Sequence, residues 1–161
     1  MPKTKIVILG IGQSLRGDDA AGLEAVHRWQ ETYPVTAADS RLRVEQAGMP
    51  GLELIDLLKD AKCALLVDAV QSGATPGTLH LVKPEQVVSF DTGSGSAHGW
   101  GIAETIVLAH ELRYSLPDQI FILGIEAASF EMGASLNTAV ADSLARAAEM
   151  IEERIQSWLY T

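Results

Sequence analysis

Two carboxylates and one imidazole stand where a layered α/β chain places its chemistry. Asp18 and Asp19 close the glycine-rich stretch Gly10-Ile11-Gly12-Gln13-Ser14-Leu15-Arg16-Gly17, directly after the apolar run Ile6-Val7-Ile8-Leu9. Asp68 interrupts and ends the apolar run Cys63-Ala64-Leu65-Leu66-Val67. His98 sits among small residues in Gly93-Ser94-Gly95-Ser96-Ala97-His98-Gly99. In open α/β sheets, ligands bind outside the carboxyl ends of the strands, and all three candidates fall there. Together they make a mixed oxygen and nitrogen donor set suited to a divalent metal such as nickel or zinc, with coordination positions left open.

Each residue also has a plainer account. Asp18 reads as the cap of the following helix, a role worth about 1 kcal/mol. Asp19 gains from the helix dipole whether or not it binds anything. Asp68 could be a structural aspartate satisfied by loop amides, although a carboxylate ending an apolar strand is partly desolvated and needs a partner. His27 and His110 fall in helical segments and His80 in a short strand, where exposure or packing explains them.

A strand, a glycine-rich turn and a helix N-terminus ordinarily cradle an anion. Here the two aspartates would repel a phosphate, so the turn suits a cation or a protonated group. The dinucleotide fingerprint fails because Leu15 stands where its third glycine belongs, and no Gly-Lys-Ser/Thr is present for a phosphate loop. Asp91-Thr92-Gly93-Ser94 matches the short signature of pepsin-like proteases, but one copy in a Gly/Ser loop of an α/β chain lacks that signature's context.

The elements that must position these residues alternate in period. Buried strands are expected at Ile6–Leu9, Cys63–Val70 and Gln119–Ile125, a weaker one at Arg41–Gln46, and an antiparallel edge strand at Thr78–Val82 after the Pro76-Gly77 turn. Helices are expected from Ala20 to about Glu31, with Leu23 and Val26 inward, and from Pro50 through Leu52, Ile55 and Leu58. Another carries Ile102, Ile106, Ala109 and Leu112 on one face. The last begins near Asn137 and carries Val140, Leu144, Ala147, Ile151, Ile155 and Trp158 as one stripe. Ser89–Gly101 reads as a loop. The pattern predicts one domain over residues 1–161, an α/β/α sandwich whose mostly parallel sheet has helices on both faces.

A chain of 161 residues with 47% hydrophobic residues can bury a sizeable core. Its net charge of −9 opposes binding to nucleic acid or anionic lipid. No stretch approaches a membrane span or a secretory h-region, so a cytoplasmic location is the expectation. Cys63 is the single cysteine, which excludes an internal disulfide and reads as a small buried apolar residue.

In order along the chain, these segments resemble the nickel–iron hydrogenase maturation proteases, endopeptidases that trim the C-terminus of the hydrogenase large subunit. The resemblance is carried by Gly10 through Gly22, by Ala47-Gly48-Met49-Pro50-Gly51-Leu52-Glu53-Leu54, and by Leu66-Val67-Asp68-Ala69-Val70 with Pro76-Gly77 after it. His98 in its loop and Leu123-Gly124-Ile125 complete it.

The resemblance implies a five-stranded twisted sheet between helices and an enzyme usually grouped with aspartic-type peptidases. It implies that Asp19, Asp68 and His98 form a metal-binding, catalytic trio that recognises nickel already carried by the precursor. Either the metal or a carboxylate would activate water. The alternative is a non-catalytic chaperone that holds nickel or the precursor without cutting it. Members often carry an acidic residue just before the glycine matching Gly48, where this chain has Gln46-Ala47, and many have Asn at the position of Gln13. Asp or Glu serves at the position of Asp19.

Overall fold

The computed structural model describes residues 5–13, 17–48, 52–88, 101–130 and 135–161. Its strands are β1 (Ile6–Ile11), β2 (Leu42–Ala47), β3 (Cys63–Val70), β4 (Leu79–Val82) and β5 (Gln119–Glu126). Its helices are α1 (Ala21–Thr32), α2 (Pro34–Ala37), α3 (Leu52–Leu57), α4 (Pro84–Val88), α5 (Gly101–Glu111) and α6 (Thr138–Leu159).

The strands form one sheet in the order β2-β1-β3-β5-β4. Every pairing is parallel except β4 with β5, which is antiparallel. The expected fold class is therefore the observed one, including the antiparallel edge.

Alternation along the central strands divides the core into two layers. Ile6, Ile8, Leu65, Val67, Leu123 and Ile125 face α1 and α6, where Trp29, Leu144, Ile151 and Ile155 complete the packing. Val7, Leu9, Leu66 and Ile122 face the other side, against Leu54, Leu58, Ile102 and Ile106. Near-continuous apolar runs are what a parallel strand covered on both faces requires. Cys63 is buried as expected, and burial pushes its thiol pKa up.

Local departures have local causes. Leu112 lies past the end of α5 and is exposed rather than inward. Leu23 is only half-buried, because Ala21, Ala25, Val26 and Trp29 take the inner face of α1. The short helices α2 and α4 begin at Pro34 and Pro84, which fit a first helical position and interrupt what reads from sequence as connection. Pro50 and the Ser89–Trp100 stretch lie outside the described residues.

Candidate active site at the sheet switch point

From β1 the chain crosses to β2 on one side, while from β3 it passes to β4 and β5 on the other. The carboxyl ends of β1 and β3 therefore flank the point where the strand order reverses, the crevice in which open α/β sheets place their ligands. Asp19 follows β1 and Asp68 lies on β3, so the topology brings both expected carboxylates to this crevice.

Asp19 sits in a 3₁₀ turn, Gly17–Ala20, wedged between β1 and α1, and is buried. The turn comes so close to the strand end that a Cβ on Gly12 would lie 2.0 Å from the carbonyl oxygen of Asp19. Gly12 also has φ +148°, a region that L-residues avoid. Similarly, a Cβ on Gly22 would meet the carbonyl oxygens of Val67 at 2.3 Å and Ile11 at 2.6 Å. The first turn of α1 thus rests directly on the ends of β3 and β1.

Asp68 shares the sheet face of Ala64 and Leu66 and is half-buried. Its carboxyl is held well above the usual carboxylate range, first by burial and then by the negative charge of Asp19. The backbone N–H of Ala69 pulls more weakly in the opposite direction. Among the described residues, no Lys, Arg or His forms an ion pair with either carboxylate. Two carboxylates drawn out of water beside each other are relieved by a shared proton or by a cation. A divalent metal with oxygen preference fits that pair.

His98 lies outside the described residues, and the described ones contain no three-ligand metal cluster. The helix that follows it, α5, does have a fixed direction. Its later residues Ile106 and His110 share a cavity of about 500 Å³ with Asp118, Gln119 and Ile120 at the amino end of β5. Its first residue, Gly101, is therefore directed to the carboxyl edge. This cavity and a second of about 550 Å³, lined by Lys5, Lys62 and Arg154, are both lined from the amino ends of the strands, and neither is lined by Asp19 or Asp68.

Asp18 does not cap α1. The N-cap position belongs to Ala20 and carries no side-chain bond, because the 3₁₀ turn separates Asp18 from the helix. Asp18 is 1% exposed and accepts the backbone N–H groups of Ala128 (2.7 Å) and Ser129 (3.1 Å) on Oδ2 and of Asn137 (2.7 Å) on Oδ1.

A third buried carboxylate, Glu126, carries no reading from the sequence. Glu126 extends β5 one residue beyond Ile125 and is 1% exposed. It accepts the Ser72 backbone N–H at 2.8 Å and the Ser72 hydroxyl, and pairs with His80 Nε2 at 3.1 Å. His80 thus has a specific partner rather than general packing. The register row Asp68–Gly124–His80 puts it on the same sheet face as Asp68. An acid following an apolar strand was the available signal, the same one that marks Asp68.

With this geometry in place, comparison with known proteins becomes informative. The family model described as hydrogenase maturation protease matches residues 23–154. The chain belongs to the hydrogenase maturation protease family. The hydrogenase expression/formation protein HupD of Rhodobacter capsulatus is 30% identical over 156 residues, covering 96% of this chain and 72% of its own. The hydrogenase 2 maturation protease of Escherichia coli is 24% identical, over 91% of this chain and 88% of that one.

Among solved structures, the hydrogenase maturating endopeptidase HybD of Escherichia coli superposes with a TM-score of 0.77 at 22% identity, covering 95% and 93% of the two chains. The [NiFe] hydrogenase maturation protease HycI of Thermococcus kodakarensis gives 0.68 at 25% identity, covering 96% and 94%. The five-stranded, mostly parallel sheet with helices on both faces is the fold of these maturation proteases.

Proposed function

We propose that this member of the maturation protease family removes the C-terminal extension of a nickel-loaded [NiFe] hydrogenase large-subunit precursor. In this reading, Asp19, Asp68 and His98 recognise the precursor's nickel. The observation that carries it is the crowding of Asp68 by Asp19 at the switch point, with no cation paired to either among the described residues. A nickel ion arriving with the substrate supplies the missing charge. It also fixes the neighbouring peptide segment against the crevice, so rate is gained by positioning.

Cleavage adds water across one peptide bond: hydroxide to the carbonyl carbon, a proton to the departing amine. Nickel carried by the substrate would lower the pKa of the attacking water, and the Asp68 carboxylate would accept the proton that this water loses and pass it to the departing amine. The raised pKa of Asp68 brings it nearer the range of a general base in the nickel-free protein. No helix among the described residues is long and apolar enough to cross a membrane.

Mass spectrometry of a nickel-loaded precursor before and after incubation tests the reading. We expect loss of a C-terminal peptide with the natural chain, and none with Asp19→Ala or His98→Ala despite normal folding. Normal-rate cleavage by a variant lacking all three residues would overturn it. Capture of the precursor with no peptide released would instead mark an assembly chaperone.

A further inference from the structure

Asp18 is left without a role once it is removed from the helix cap. It is nonetheless among the most buried charged groups of the chain, and both its oxygens are engaged. Three backbone N–H donors on one carboxylate occupy most of its acceptor positions and leave little capacity for a metal. Asp18 also donates its own backbone N–H to the Ser129 carbonyl at 3.0 Å. Four hydrogen bonds therefore join the 3₁₀ turn to the chain that leaves β5 and enters α6.

The neighbouring Asp19 is placed differently. Among the described residues its side chain takes part in no hydrogen bond or ion pair, so what fixes its place is its main chain. That main chain is confined on one side by the close approach to Gly12. On the other side, the bonds of Asp18 confine it.

We infer that Asp18 is a positioning residue. It clamps the Gly17–Ala20 turn to Ala128, Ser129 and Asn137 and thereby aims Asp19 at the ion carried by the substrate. The clamp also sets the site in register with α6, since the Asn137 N–H belongs to that helix's N-cap residue. This inference rests on the peptidase reading above, and its test separates the two.

Asp18→Asn keeps the size of the side chain but turns one acceptor into a donor facing N–H groups. At a temperature where it is fully folded, we expect kcat on the nickel-loaded precursor to fall at least tenfold, with KM within twofold. We also expect hydrogen exchange at the amides of Ala128, Ser129 and Asn137 to accelerate at least tenfold. Glu152→Gln provides the control for a purely structural loss, because Glu152 binds Trp29 and Thr36 on the α1–α6 side, away from the site. Its kcat should equal that of the natural chain.

Should Asp18→Asn not fold, Asn137→Pro and Asn137→Ala decide the matter. Asn137 has φ −56°, which proline accepts, and both variants lose the side-chain cap on Ala139. Only proline also loses the N–H given to Asp18. We expect kcat for the proline variant to be three- to tenfold below that of the alanine variant. Natural kcat in folded Asp18→Asn, or equal kcat in the Asn137 pair, overturns the inference. A natural chain that cuts nothing overturns the peptidase reading instead, and unaccelerated exchange in Asp18→Asn still rejects the clamp.

Discussion

The two ends of the sheet treat charge in opposite ways. At the amino end, Lys5, Arg41, Lys62 and Arg154 surround a solvent-facing cavity, and the clear ion pair there, Arg41 with Asp39 at 2.8 Å, is partly exposed. At the carboxyl end, Asp18, Asp19 and Glu126 are buried and Asp68 is half-buried. Charge in contact with water costs little to hold and contributes little. Charge removed from water must be satisfied or it destabilises the fold. The carboxyl end does both: Asp18 and Glu126 are filled by donors, whereas Asp19 and Asp68 repel each other. Donor-filled groups build the frame, and the mutually repelling pair is where the proposed ligand would sit.

The largest test of that contrast is Asp68→Asn. We expect cleavage to fall by roughly a thousandfold or more, in the range seen when a catalytic group is removed. Thermal stability of the nickel-free protein should rise at neutral pH, since the crowded charge is gone. A simultaneous loss of stability in calorimetry would show that Asp68 belongs to the frame instead.

Glu126→Ala examines the satisfied half. It removes the acceptor of the Ser72 N–H and hydroxyl and the carboxylate paired with His80, and should cost about 2–3 kcal/mol in denaturant unfolding. A cost near zero would remove Glu126 from the frame.

Smaller effects follow from pH. Because the folded pKa of Asp68 lies above its ordinary value of 3.8, its contribution to stability is fully present below pH 3.8. It is lost as pH rises through the raised value, so Asp68→Asn should flatten denaturant midpoints in that window. Asp39 acts oppositely: hydrogen bonds from the Arg41 guanidinium and backbone N–H hold it at about 2. Its contribution is present above 3.8 and disappears as pH falls through about 2. Because that pair is partly exposed, Arg41→Ala should lower the denaturant midpoint only slightly, and less still in high salt. A larger cost would erase the distinction between the two ends.

The fold was legible wherever burial is two-sided. Continuous apolar runs announced β1, β3 and β5, and the stripe from Val140 to Ile155 announced α6. Strand-end logic placed Asp19 and Asp68 at the carboxyl edge of the sheet, where the structure has them, because a carboxylate following an apolar run is visible in one sequence. The task of Asp18 was not, since its donors lie 110, 111 and 119 residues away and are backbone groups that no side-chain pattern reports. His80 was read as generic for a related reason: its partner Glu126 is 46 residues distant on a neighbouring strand.

The contact at Gly22 has a practical consequence for redesign. Backbone meets backbone there, with no room for a methyl group between α1 and the ends of β1 and β3. The spacing of α1 from the ends of β1 and β3 is accordingly set by main-chain contact. A library aimed at new cargo should hold position 22 constant and vary the lining alone. Gly22→Ala would serve as a one-methyl probe of that contact.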